Sequence, residues 1–166
     1  MSASTETSEF PLRAIKGEED DLDPLAAAVE RDMSIYSIKD IDGIDETAIF
    51  FITGRTFCSR DVAEFLTHIY DSRSFLIVLP PFTKDALRID EPEGQVEIKS
   101  RARSTTVYPR HQLNQNLPLD EFRLVSRNVI ETSLGVVLAV DEDAGPVLVS
   151  YQPTNTHGGV ILSTIE

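Results

Sequence analysis

Two runs of apolar residues predict buried strands in the first half of the chain. Residues 48–53 read Ala-Ile-Phe-Phe-Ile-Thr, and residues 75–79 read Phe-Leu-Ile-Val-Leu. A run that is apolar on both sides is typical of a parallel strand covered on both faces. Between the two runs, apolar positions recur at helical spacing over residues 60–70, with Asp61 and Glu64 at the spacing of a capping box. Strand, helix and strand in this order indicate a right-handed crossover unit.

Three further elements and a loop are predicted ahead of this unit: a strand at Phe10–Ile15, a helix at Leu25–Asp32, a half-buried strand at residues 35–38 and a loop at residues 40–46. Pro24 suits the first position of the helix, because its ring fixes a helical φ and the missing N–H is not needed there. Asp21 or Asp23 would serve as the N-cap.

Past residue 88 the pattern changes to short strands joined by turns. The predicted elements are a helical turn at 83–87, polar-alternating strands around Val96, Ile98 and Val107, a loop at 111–120, and three closing β segments at 135–140, 147–151 and 160–165. The connections between the last three are too short for helices. We therefore expect antiparallel or edge additions to the sheet begun upstream.

These elements together predict an α/β fold. We expect three layers around a largely parallel sheet, with antiparallel strands added in the C-terminal half. A small, polar, disordered tail at residues 1–9 would precede a single domain at residues 10–166.

Composition narrows the class of protein. A chain of 166 residues is long enough for one hydrophobic core, and its formal net charge is −13. Phosphate backbones repel so acidic a chain, so we expect no nucleic-acid partner. Cys58 is the single cysteine, which excludes an intramolecular disulfide framework and a Cys-rich zinc site. With no apolar run approaching about 20 residues and no signal-peptide pattern, we predict a cytoplasmic protein without membrane insertion or cofactor.

Several of these segments resemble one known superfamily. They are the buried strand ending in glycine at 49–54, the helix at 60–70, the strand at 75–79, the segment His111–Leu117, the Gly-Pro-Val-Leu-Val run at 145–149 and the Gly-Gly-Val-Ile-Leu-Ser run at 158–163. The layout over residues 22–165 resembles the flavodoxin-like superfamily that contains the class I glutamine amidotransferase-like and ThuA-like domains. The resemblance implies a three-layer flavodoxin-like fold.

The catalytic residues of that family are not matched. Amidotransferases place a nucleophilic cysteine directly after the strand that corresponds to residues 75–79, where this chain has Pro80-Pro81-Phe82. The glycine cluster of the preceding loop is reduced to Gly54, and His157 lies near a late catalytic position without a neighbouring acid. The resemblance therefore implies a non-enzymatic relative that serves ligand binding or assembly.

Cys58 supports an alternative hypothesis of catalysis. It lies between a predicted strand and a predicted helix N-terminus, with Arg55 and Arg60 nearby, and such surroundings favour the thiolate. A small amide or ester hydrolase or transferase would use Cys58 as nucleophile and His157 or His111 as base. In the other interpretation Cys58 is a small, partly buried apolar residue.

The same loop supports a third hypothesis, a regulatory domain that senses an anionic small molecule. The candidate ligand-binding residues are Gly54, Arg55, Thr56, Ser59 and Arg60. Crevices at the carboxyl ends of strands bind ligands in open α/β sheets, although the loop matches neither common phosphate-binding motif. A purely structural loop is the alternative.

Other charged residues indicate no metal site. Asp40, Asp42, Asp45 and Glu46 do not have the spacing of an EF-hand, and we interpret them as solvated loop charges. Asp141-Glu142-Asp143 is interpreted as a hairpin turn.

The C-terminal strands suggest a protein partner or a homo-oligomer. Tyr151, Val147, Val149 and Ile161 could form such a surface, because strands that end a sheet expose unpaired backbone groups. Burial of the same residues in the core of this domain is the alternative.

Overall fold

A computed structural model describes residues 10–29, 32–82, 86–88, 95–109, 125–131, 135–153 and 157–165. The strands are β1 (Leu12–Lys16), β2 (Met33–Ser37), β3 (Ile49–Thr53), β4 (Phe75–Leu79), β5 (Ala86–Arg88), β6 (Gln95–Pro109), β7 (Val125–Glu131), β8 (Val136–Asp141), β9 (Pro146–Tyr151) and β10 (Gly159–Ser163). The helices are α1 (Asp23–Ala28), α2 (Gly54–Phe57), α3 (Ala63–Asp71) and a 3-10 helix (Ile38–Gly43). The predicted tail at 1–9 and the predicted loop at 111–120 lie outside the described residues.

One mixed sheet organises the fold, in the order β2-β1-β3-β4-β10-β9-β8-β6-β5, with β7 paired to β6. Five neighbouring strands are parallel to one another: β2, β1, β3, β4 and β10. The remaining strands, β9, β8, β6, β5 and β7, are joined to the sheet by antiparallel pairing. The predicted α/β fold class is confirmed, with antiparallel strands in the C-terminal half. In the described part of the chain, no helix has both the length and the apolarity to cross a bilayer.

The strand register divides the side chains of the sheet between two faces. On one face, here called the closed face, seven apolar side chains of β1, β3, β4 and β10 are fully buried: Ile15, Phe50, Ile52, Leu76, Val78, Val160 and Leu162. The open face of the middle strands is only half-buried and comprises Ile49, Phe51, Phe75, Ile77, Leu79 and Ile161. The two faces of the same sheet therefore differ in how well they are covered.

Helix α3 covers the closed face. Its apolar stripe is buried, and the ring of Phe65 meets the ring of Phe50 edge to face, with centroids 5.2 Å apart. Val96, Ile98 and Ile130, from β6 and β7, belong to the same core cluster. Helix α3 and the antiparallel pair β6–β7, here called the hairpin, therefore contribute to one core.

Helix α1 belongs to the other layer. The connection from β1 to β2 runs along the sheet in the direction opposite to that from β3 to β4. Since both crossovers are expected to be right-handed, their helices lie on opposite faces. This position of α1 agrees with the burial of Leu12 and Ala14 on the open side of β1. With only six residues, α1 leaves the neighbouring strands less covered.

The predicted strand β10 is present and pairs antiparallel with β9, as expected, but it does not lie at the edge of the sheet. It lies between β4 and β9, parallel to the first and antiparallel to the second, and is not an edge addition. A glycine makes the close approach possible. A Cβ on Gly158 would lie 1.9 Å from the carbonyl oxygen of Ile69, so the chain entering β10 packs directly against backbone.

Local signals misplaced several element ends. The predicted N-cap of α1 is not formed by Asp21 or Asp23. Asp21 accepts a hydrogen bond from the N–H of Asp23, and the N-cap position is Leu22, whose side chain makes no capping bond. The helix ends at Ala28, earlier than predicted. Asp61 likewise accepts a hydrogen bond from the N–H of Ala63. Because α3 begins at Ala63, its N-cap is Val62 and not Asp61, so the predicted capping box does not form.

Two other segments differ in type from the prediction. Residues 40–43 of the predicted loop belong to the 3-10 helix, which begins at Ile38, the last residue of the predicted strand. Residues 86–87 of the predicted helical turn lie in β5. β5 is held by antiparallel pairing with β6, a contact between segments that no local pattern reports.

Candidate functional site

The loops that follow β3 and β4 meet at the carboxyl edge of the sheet, where the sequence places its candidate site. The N–H of Arg55 donates to the carbonyl of Pro81 at 2.9 Å. A Cβ on Gly54 would lie 2.1 Å from Cδ1 of Phe82, so the aromatic ring fills the space beside the glycine. The two loops are thus neighbours, and the Phe82 side chain occupies the point where they meet.

A buried carboxylate organises the same edge. Asp20 accepts hydrogen bonds from the N–H of Gly17 at 2.8 Å, from Thr53 Oγ1 at 2.9 Å, from Arg55 Nη2 at 3.0 Å and from Thr56 Oγ1. Four donors from three segments therefore converge on one side chain. Asp20 joins the loop after β1 to the loop after β3.

The protonation of Asp20 follows from this arrangement. Burial alone would raise the pKa of its carboxyl. The hydrogen bonds from Thr56, Gly17, Thr53 and Arg55 outweigh that effect and hold the pKa below its ordinary value. Asp20 is thus a buried anion at neutral pH, and it attracts the Arg55 guanidinium.

The two arginines of the predicted anion site already bind carboxylates. Arg55 bonds the backbone oxygen of Glu19 at 2.7 Å in addition to Asp20. Arg60 donates to Asp42 at 2.9 Å and to the carbonyl of Ile38 at 3.2 Å. Anion binding at this loop stays a prediction, and it requires the arginines to exchange these partners for the ligand.

The two hydroxyl residues of that site are also engaged. The N–H of Thr56 donates to Thr53 Oγ1 at 3.1 Å, which caps α2, while the Thr56 hydroxyl bonds Asp20. Ser59 Oγ donates to the carbonyl of Thr56 at 2.7 Å. These hydrogen bonds hold the loop in its folded form.

The candidate catalytic residues occupy different surroundings. Cys58 is the half-buried C-cap of α2 and packs against the main core. His157 is exposed, and its backbone N–H donates to the carbonyl of Tyr70 at 3.1 Å. His111 lies outside the described residues. The catalytic hypothesis therefore stays a prediction.

A second polar cluster was missed by the sequence analysis. Glu46 accepts two hydrogen bonds from Arg13, at 2.7 and 3.2 Å, and one from the hydroxyl of Tyr36. Its backbone oxygen lies 2.7 Å from Nε2 of His68. The interpretation of Glu46 as a solvated loop charge is wrong, because its carboxylate is half-buried and bonded within the fold. Asp42 pairs with Arg60 but stays exposed to solvent, which agrees with that interpretation. The partners are distant in sequence, so spacing gave no signal.

Electrostatics in this cluster follow the hydrogen bonds. The bond from Arg13 lowers the pKa of Glu46 despite partial burial. The bond to Glu46 raises the pKa of the Tyr36 hydroxyl, because the carboxylate stabilises the protonated phenol. Glu46 thus stays ionised at neutral pH and Tyr36 stays neutral.

A shallow pocket of about 540 Å³ adjoins this cluster, lined by Tyr36, Lys39, Asp40, Gly43, Ile44, Asp45 and Glu46. Three of the seven lining residues are acidic and one is a lysine. Within the described ranges, no three His, Cys, Asp or Glu side chains are grouped so that they could hold a metal ion.

The C-terminal strands divide the residues of the predicted partner surface. Val147 and Val149 are buried in the cores of this domain, so they do not form such a surface. The ring of Tyr151 packs edge to face on Tyr70, with centroids 6.3 Å apart, while Ile161 is half-buried on the open face. Val136, which was not predicted as a surface residue, is 52% exposed.

Comparison with known proteins adds information about the fold. The chain matches no family model and no curated protein. Among solved structures, it is similar to the E323A catalytic mutant of Gan42B, a GH42 beta-galactosidase from G. stearothermophilus, with 10% identity, a TM-score of 0.50, and coverage of 81% of this chain and 21% of that chain. A second structure of Gan42B gives 9% identity, a TM-score of 0.51, and coverage of 96% and 28%. The chain thus spans less than a third of those chains, and such a likeness shows the fold alone.

Proposed function

We propose that this chain is a non-catalytic binding or assembly module related to the amidotransferase-like domains of the flavodoxin-like superfamily. The parallel strands run in the order β2-β1-β3-β4-β10. With β10 counted as the fifth parallel strand, this is the flavodoxin-like order 2-1-3-4-5. The antiparallel strands β5 to β9 then form an insertion between the last two parallel strands.

The observation that carries the proposal is the contact between Phe82 and Gly54. In the family that the sequence resembles, the nucleophile follows the strand that corresponds to β4, and the oxyanion loop follows the preceding strand. Here the ring of Phe82 packs against Gly54, and a Cβ built on Gly54 would lie 2.1 Å from Cδ1 of that ring. The backbone N–H of Arg55 also donates to the carbonyl of Pro81. An aromatic ring therefore fills the place where that chemistry would need an open crevice.

The electrostatics of the edge also favour a structural role. Asp20 compensates the charge of Arg55, and Asp42 compensates that of Arg60. In the described residues, each buried side-chain nitrogen and oxygen has a hydrogen-bond partner. A catalytic site commonly leaves polar groups available for substrate, whereas these groups are used within the fold.

The open face supplies the binding part of the proposal. One row of side chains crosses the sheet on this face, in the order Ile35, Ala14, Phe51, Ile77, Ile161, Ser150 and Val136. Where the row crosses β10, β9 and β8, it presents the half-buried Ile161 and the exposed Val136 with Ser150 between them. This part of the row is the surface that a protein partner or a second copy would contact. No charged residue belongs to the row.

Hydrolysis assays on the wild type and on Cys58→Ser test the non-catalytic part. We expect both proteins to release ammonia from glutamine and nitrophenol from nitrophenyl acetate at the same background rate. Turnover by the wild type that Cys58→Ser abolishes would contradict the proposal and favour the cysteine hydrolase. A Phe82→Ala variant, which opens the crevice beside Gly54, serves as a further control and should also remain inactive.

A further inference from the structure

Strand β2 forms one end of the sheet and is exposed. In the described part of the chain, β2 pairs with β1 on one side and with no strand on the other. Ile35, at its centre, is 50% exposed. Among the described side chains, Phe10 and Val136 are the other large apolar ones that are exposed. The outer side of β2 therefore presents backbone donors and acceptors beside an apolar side chain.

Edge strands of soluble proteins usually carry features that prevent pairing with another chain. Charged side chains, proline and bulges are the common ones. β2 reads Met-Ser-Ile-Tyr-Ser, without charge or proline, and its register with β1 is continuous over five residues.

We propose that β2 pairs antiparallel with β2 of a second copy of this chain, about a two-fold axis at Ile35. The inference rests on the proposed assembly function and names its partner. A two-fold axis perpendicular to the sheet makes neighbouring edge strands antiparallel and keeps each face continuous between copies. The register centred on Ile35 pairs all five residues of the strand.

The side-chain sizes of β2 suit this register. Met33 faces Ser37 of the other copy, Ser34 faces Tyr36, and Ile35 faces itself. Every large polar or flexible side chain thus faces a small one, and the exposed isoleucines bury each other. The open-face row, which ends at Ile35, continues into the row of the second copy.

Charge favours a second copy at this edge over contact elsewhere. Two chains that each carry a net charge of −13 repel each other, so a self-contact needs a surface without like charges at its centre. The paired β2 strands bring no ionisable acid or base face to face. In this register, Asp32 of one copy comes near the 3-10 helix of the other copy, which carries Asp40 and Asp42. We therefore expect dimerisation to strengthen with ionic strength.

Sedimentation equilibrium of the wild type, Ile35→Lys and Val136→Lys provides the first test. The wild type should approach twice the chain mass of 18.5 kDa as concentration rises. Ile35→Lys places two ammonium groups opposite each other and should weaken the dimer by about tenfold or more. Val136→Lys is the matched control, because Val136 is 52% exposed on the same face but lies on β8. It should leave the dimer intact.

Disulfide trapping tests the register without relying on a destabilising charge. In a Cys58→Ser background, Ile35→Cys places two thiols on facing residues whose Cβ atoms are about 5 Å apart, close enough for a disulfide after a small adjustment. Ser37→Cys is the control, because the same register separates its two copies by about 13 Å along the strands. Mild oxidation should therefore cross-link the Ile35→Cys protein and spare the Ser37→Cys protein.

A wild type that stays monomeric at all concentrations would overturn the inference. So would a dimer that Ile35→Lys leaves unchanged while its folded circular dichroism spectrum is retained, or equal cross-linking of the two cysteine variants. A dimer dissociated by Val136→Lys alone would overturn the β2 inference but support assembly through the C-terminal strands. Cys58-dependent turnover would overturn the proposed function, whatever the mass.

Discussion

The two faces of one sheet differ in this molecule. On the closed face, Phe50 is fully buried beneath α3, while its chain neighbour Phe51 points to the open face and is half-buried. Both lie on β3, with the same residue type and the same strand environment. The difference arises because α3 and the hairpin cover one side, whereas the six-residue α1 covers only part of the other. The apolar runs thus predicted strands that are buried on both faces, whereas in the structure only the closed face is fully buried.

The largest expected effect separates these two phenylalanines. Phe50→Ala should lower the free energy of unfolding by about 3–5 kcal/mol, because it leaves a cavity beneath Phe65. Phe51→Ala should cost about half as much, since part of its ring already contacts solvent. Urea unfolding of both variants measures the difference. Equal losses would show that the open face is as well covered as the closed one.

A buried charge at the carboxyl edge gives the next effect. Asp20→Asn keeps the shape but loses the ionic bond to Arg55 and places an NH₂ group among donors, so we expect a loss of about 1–3 kcal/mol. Asp45→Asn, at an exposed position, changes the net charge equally and should be nearly neutral. If the two variants unfold at the same urea concentration, Asp20 does not hold the loops together.

The pH dependence of stability provides a separate test of Asp20. Its pKa is lower in the folded state, so the folded protein binds fewer protons than the unfolded chain in the acid range. Its contribution is fully present above the unfolded pKa of about 4 and is lost as the pH falls through the folded pKa. Asp20→Asn should therefore lose less stability than the wild type on acidification. If the free energy of unfolding falls equally steeply with decreasing pH in the two proteins, the pKa of Asp20 is not lowered by folding.

The half-exposed cluster over β1 and β2 should contribute less. Glu46→Gln weakens the bidentate pair with Arg13 and should cost about 0.5–1 kcal/mol. It also removes the carboxylate that raises the pKa of Tyr36. An absorbance titration should show one of the four tyrosines ionising at lower pH in the variant. An unchanged titration would mean that Tyr36 does not bond Glu46.

The smallest effect is expected at the exposed ends of the open-face row. In dilute, monomeric protein, Ile35→Ser and Val136→Ser should each change the stability by no more than about 0.5 kcal/mol, because both side chains are half in water already. At high concentration, the Ile35→Ser protein alone should lose stability relative to the wild type, since only β2 pairs with the second copy. Thermal unfolding at two concentrations measures both expectations.

Local patterns predicted the elements whose evidence is contiguous. Strands β3 and β4 and the buried stripe of α3 were predicted correctly, since each depends on the periodicity of a few neighbouring residues. The position of β10 within the sheet was not predicted, because an apolar run does not indicate which strand will pair with it. Its parallel pairing with β4 depends on the whole insertion between them.

The candidate site was predicted only in its position along the chain. Gly54 and Arg55 do lie where the loops after β3 and β4 meet. Their partners did not emerge from the sequence, because Asp20 is 35 residues from Arg55 and Glu46 is 33 residues from Arg13. Such pairs are set by topology, so the partners of these carboxylates cannot be identified from spacing along the chain.

Hydrogen exchange of β2 as a function of protein concentration tests the central claim most directly. The account predicts that backbone amides of residues 33–37 exchange more slowly as concentration rises, while those of the equally exposed region around Val136 do not change. Exchange from β2 that is independent of concentration, or protection confined to β8, would contradict the assembly of this chain through its uncharged edge.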